Sequence, residues 1–139
     1  MLFKTLNGRE RNVSVNRYRV DWEREKEVSG PQGKVKKFLR PYWEGKMVLE
    51  EFRVPSTRLR LDLYDVSDGI VVEVSPAATH TMYNPFMHGS LSGYRNTIKR
   101  DLLKEDWCRL NGLTLVTLID EDIANLSAAL FLERFGVTL

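Results

Sequence analysis

Asp62 and Glu73 are the residues whose types and spacing best suit chemistry. Asp62 sits in Arg58-Leu-Arg-Leu-Asp62-Leu-Tyr64, where Leu59, Leu61 and Leu63 alternate with polar or charged neighbours. That period of two is the signature of a half-buried strand. Glu73 interrupts Ile70-Val-Val-Glu73-Val74, an apolar run that otherwise reads as a buried central strand. Asp68-Gly69 between them signals a tight hairpin turn, which would set the two carboxylates side by side on one sheet face. A buried acid is costly unless its charge is compensated, and a divalent cation would compensate it. Ser75, two residues beyond Glu73, shares its side of the strand. Asp62, Glu73, the Val74 carbonyl and waters would together supply an oxygen shell for Mg2+ or Mn2+. An ion so held polarises a phosphate and acidifies a bound water, which is the work of phosphodiester hydrolysis. A plainer alternative stays open, in which Asp62 and Glu73 are strand-end acids paired with Arg58 and Arg60.

Several elements must position this pair. Residues 1–30 are polar, with a strand expected over 13–20, and read as an arm, an added strand or a dimerisation element. Residues 31–139 read as the main domain. Ser29-Gly30-Pro31 starts a helix over 32–43, with Val35, Phe38, Leu39 and Tyr42 on one face and Pro41 ending or kinking it. Strands follow over 47–54, 58–65 and 69–74, then a loop over 76–91 that carries His80 and His88. Residues 92–111 form the clearest helix, on the spacing of Tyr94, Ile98, Leu102, Leu103, Trp107 and Leu110, with Gly112 as its stop. A strand over 113–119 and one long helix over 120–135 complete an α/β (α+β) domain. Its mixed sheet of about four strands is flanked by helices.

Composition sets bounds. The chain has 139 residues, 42% hydrophobic and 29% charged, which suits one globular domain. No apolar run approaches a membrane span, and no secretory leader is legible. The lone Cys108 offers neither a disulfide nor a zinc site, so a reducing cytoplasm is the expected compartment. A net charge of +2 is too small to announce a nucleic-acid partner. The distribution is more informative, because Lys34, Arg58, Arg60, Arg95 and Lys99 fall in basic clusters suited to phosphate contacts.

On these residues the chain resembles the PD-(D/E)XK nucleases, whose motif is an acid on one strand and an acid, any residue and a lysine on the next. Asp62 and Glu73-Val74-Ser75 match both acids and the spacing. The resemblance spans about residues 31–120 as helix, hairpin, helix and strand, and implies a restriction-endonuclease-like fold. It looks most like phage-encoded homing-type endonucleases related to the very-short-patch repair endonucleases. The stretch from Phe38-Leu-Arg-Pro-Tyr-Trp43 to Glu50-Glu-Phe52 is similar to small phage proteins of that kind. Two departures stand out: Ser75 replaces the motif lysine, and Gln32 occupies the place of a helix-borne metal-shell glutamate. His80, Lys99 and Arg60 are then candidates for the displaced cationic role. The resemblance implies a metal-dependent endonuclease acting on double-stranded DNA, as a homodimer, in the cytoplasm of a phage host. The alternatives are a nuclease for branched DNA in phage recombination or repair, a DNA-binding module without catalysis, and a phage structural or host-interaction protein.

Overall fold

The computed structural model describes residues 1–24, 30–75 and 91–139. It has strands β1 (Leu2–Lys4) and β2 (Glu10–Asn12), then helix α1 (Gly30–Trp43), then strands β3 (Val48–Arg53), β4 (Arg60–Asp65) and β5 (Ile70–Val74). Helix α2 (Leu91–Leu110), strand β6 (Thr114–Leu118) and helices α3 (Asp120–Ala124) and α4 (Ala128–Phe135) follow. The main sheet runs β3-β4-β5-β6, antiparallel except for the parallel pair β5-β6. A parallel neighbour needs a crossover connection, and α2 lies on it. The chain is therefore a small mixed α/β domain. Among the described residues no helix is long and apolar enough to cross a membrane.

Each face of the sheet buries its own core. On one face Val35, Leu39 and Trp43 of α1 pack with Leu63, Val72, Val116 and Leu118, together with Ile123 and Phe131. Pro41 sits inside the last turn of α1, and the helix runs on to Trp43. Tyr42, expected on the apolar face, is exposed, and Trp43 is fully buried. On the other face Phe3, Trp107 and Cys108 cover Leu49, Phe52, Leu61, Tyr64 and Val71.

The N-terminal residues form a two-stranded hairpin of their own, joined to the main sheet by one bridge between Arg19 and Leu49. The strand expected over 13–20 is replaced by a turn of 3-10 helix at Asn16–Tyr18. Tyr18 explains this: its ring packs edge-on against Phe52 at 5.0 Å, so packing overrides strand propensity.

Two helices also differ from expectation. The last one breaks at residues 125–127, where the Ser127 hydroxyl accepts the Leu130 N–H at 3.0 Å and starts α4 afresh. Replacing Ser127 with alanine should lower unfolding stability by about 1 kcal/mol, read as a lower thermal midpoint; an unchanged midpoint would show that the cap adds nothing. In α2, Leu102 and Leu110 are exposed at 54% and 42%, and among its described side chains only Trp107 and Cys108 are buried. The helix is thus anchored through its C-terminal end.

Candidate active site

The geometry of the acid pair begins with a backbone irregularity. Glu51 in β3 has φ of 50°, in the left-handed region that side chains other than glycine seldom adopt. The ladder skips it, pairing Glu50 with Leu63 and Phe52 with Leu61, so Glu51 lies across from Asp62. On one side of this row Leu63 faces the α1 core; on the other, Leu61 and Phe52 face the opposite core. Residues two apart on a regular strand would share a face. The buried face switches here, and Asp62 is at the switch.

Beside it the β4-β5 ladder stops at Leu63–Val72. Side chains replace the next backbone bonds. The Asp62 N–H donates to Glu73 Oε2 at 2.8 Å, and the Val74 N–H donates to Asp62 Oδ2 at 2.8 Å. Each acid accepts a backbone donor on the other's strand, so the two are locked together. The turn joining the strands has four residues, 66–69, with Gly69 at φ of 69°. Left-handed backbone at that position suits glycine.

Both acids line a cavity of about 300 Å3, together with Val74, Ser75 and, from α2, Asp101, Lys104 and Glu105. The Lys104 ammonium donates to Glu73 Oε1 at 2.5 Å. Burial works against that ammonium, but the Glu73 carboxylate more than offsets it and holds the lysine above its ordinary pKa. Asp62 is driven the other way. Burial first, then the charge and hydrogen bond of Glu73, push its carboxyl up to about 8. Cys108 is inert, its thiol pushed up to about 12 by burial and then by Glu73.

The remaining expected residues are distributed as follows. Ser75 is buried, lines the cavity and donates its N–H to the Leu118 carbonyl at 2.7 Å. Gln32 is buried on α1, and its amide donates to Glu51 Oε1 at 2.8 Å, which links α1 to the row containing Asp62. Lys34, Arg58, Arg60, Arg95 and Lys99 are exposed, and none of them lines this cavity. Arg58 lines a different one. His80 and His88 lie outside the described residues.

Sequence reasoning passed over three groups. Glu51 is one, hidden because a left-handed strand residue has no signature in the sequence. Asp101 and Lys104 are the others. Lys104 stands three and four residues before Trp107 and Cys108, and that spacing shares a helix face. The signal lay in reading the phase of α2 from its two most buried residues alone.

The cavity is rich in acid: Asp62, Glu73, Asp101 and Glu105 stand against Lys104. Among the described residues no group of three or more acids, histidines or cysteines could hold a metal ion. Two carboxylates with waters are nevertheless what Mg2+ ordinarily accepts from protein. The raised Asp62 carboxyl fits this chemistry, since two buried acids in contact ionise together only when a cation compensates them. Compared with protein-family models, characterised proteins and solved structures, the chain matches none.

Proposed function

We propose that the chain is a metal-dependent endonuclease that hydrolyses phosphodiester bonds of DNA. The observation that carries this reading is the interlocked pair Asp62 and Glu73 in one cavity, with Lys104 bonded to Glu73. Asp62 and Glu73 would hold Mg2+ or Mn2+, with the Val74 carbonyl beside them. Bound there, the ion would supply Lewis acidity toward a phosphate oxygen and a more acidic water. Lys104 pairs with Glu73 and would supply the cation that Ser75, in place of the motif lysine, cannot. Gln32 acts at one remove, by holding Glu51 opposite Asp62.

The order α1, β3, β4, β5, α2, β6 also supports the reading, because it follows the helix, hairpin, helix and strand of the PD-(D/E)XK nucleases. An enzyme of this kind cuts both strands of a duplex most simply as a homodimer, and would work in the host cytoplasm if phage-encoded. The test is direct. Supercoiled plasmid incubated with the protein should be nicked in Mg2+ or Mn2+ and left intact in a chelator. If linear, supercoiled and branched DNA all stay whole in both metals, the endonuclease reading fails and Ser75 marks a lost activity.

A further inference from the structure

A second cavity, of about 530 Å3, opens where the N-terminal segment meets the β3-β4 turn, and four arginines line it: Arg11, Arg17, Arg53 and Arg58. No acid is among its lining residues. We propose that this cavity grips the phosphodiester backbone of a nucleic acid.

The first support is unneutralised charge. Some arginines elsewhere meet carboxylates, as Arg40 does with Glu44, Arg109 with Asp106 and Arg134 with Asp122. The arginines of this cavity meet neutral groups. Arg11 Nη1 donates to Ser56 Oγ at 3.1 Å, and Arg53 Nε donates to the Thr57 carbonyl at 2.7 Å. Arg17 Nη2 donates to Tyr18 Oη at 2.8 Å, with its guanidinium 4.8 Å from the ring centre. Arg58 makes no hydrogen bond or ion pair with any described residue. Four like charges held around one cavity repel one another, and a polyanion relieves that repulsion.

The second support is construction. The Thr57 N–H donates to the Val54 carbonyl at 3.1 Å, and Pro55 and Ser56 occupy the corners of this turn. Ser56 has φ of 65°, where a type II turn ordinarily takes glycine. Serine tolerates that backbone here and gives Arg11 its anchor. The Arg11–Ser56 hydrogen bond thereby ties the turn to the N-terminal segment as one cradle. Guanidinium forks match phosphate oxygens in geometry as well as charge.

The third is position. Arg58 precedes Asp62 by four residues, so at most about 14 Å of chain separates them. That is the rise of about four base pairs along one duplex. A backbone held in the cradle would pass close to the acid pair. The cradle is nonetheless a separate site, and binding there does not depend on cleavage.

The experiment measures binding of a fluorescent 20-base-pair duplex, and of one of its single strands, by anisotropy across a salt series in EDTA. The double variant Arg11→Ala/Arg58→Ala should bind roughly 10- to 100-fold more weakly at low salt, and the slope of log K against log salt should fall by about 2. Arg58→Ala alone removes no internal bond of the described residues and should take about 0.9 from the duplex slope, even if the double variant fails to fold. Arg109→Ala, on α2, should bind as the parent does. Unchanged affinity and slope in Arg58→Ala and the double variant, or no binding by the parent at low salt, overturns the proposal. EDTA keeps this apart from cleavage. A protein that binds through these arginines but never nicks leaves the cradle standing, and one that nicks but ignores them removes it.

Discussion

Lys104→Met should slow plasmid nicking by roughly 100- to 1,000-fold, the range seen when one preorganised electrostatic contact is removed from a dry site. Methionine keeps the length of the side chain and discards the ammonium that meets Glu73 at 2.5 Å. The effect should extend to pH dependence. Lys104 favours ionisation of Asp62, so without it that acid holds its proton more tightly. Activity should then rise only at higher pH than in the parent. Lys104→Arg restores the positive charge and should recover most of the rate. A variant nicking at the parental rate with an unshifted pH profile would remove Lys104 from the site's chemistry.

Asp62→Asn should abolish nicking and, at the same time, make the metal-free protein more stable near pH 8. The native carboxyl is pushed up to about 8 by burial and by Glu73, against an ordinary value of 3.8. Between those values the native state holds a proton that the unfolded chain has released. Stability therefore falls as pH rises through that window, by an amount on the order of a few kcal/mol by its upper end. Asparagine has nearly the same shape, can still accept the Val74 N–H, and has no proton to lose. In EDTA the thermal midpoint of the parent should drop between about pH 5 and pH 8 more steeply than that of Asp62→Asn. Added Mg2+ should raise the midpoint of the parent at pH 8 and leave that of the variant unmoved. Parallel curves for the two proteins in EDTA would show that Asp62 is not held protonated.

The parts of this site legible in the sequence are those that local pattern determines. Alternating leucines located β4, and an acid inside an apolar run located β5, so Asp62 and Glu73 could be paired before any coordinates existed. Alternation also predicted the Ser75 position beside Glu73, and both line the cavity. The cation was harder to read. Lys99 and Lys104 differ by five residues, a little over a third of a turn around the helix axis. Choosing between them requires the phase of α2 against the sheet. Apolar residues occur all around that helix, and Leu102 and Leu110 face solvent, so its stripe misreported the phase. Glu51 was beyond reach for another reason, because its φ of 50° and the gap it leaves in the ladder have no signature in the sequence. The division of the last helix was overlooked because the leucine and phenylalanine spacing runs on past Ser127, whose capping role was not weighed against it.

The pairing of β4 with β5 across a four-residue turn bears on the order in which the chain assembles. Hairpin contacts are local and close in microseconds, whereas contacts distant in sequence wait for the loop between them to be ordered. Asp62 and Glu73 are eleven residues apart, and Lys104 is thirty-one beyond Glu73, on the crossover to a parallel strand. During folding the two acids therefore meet early, before the ammonium arrives to neutralise either. The nascent hairpin carries its own like-charge repulsion wherever both acids are ionised, and the Lys104 ammonium arrives when α2 docks through Trp107. The pair that would do the chemistry is thus an obstacle on the way to the native state, lowered by a proton on Asp62 and raised by its loss.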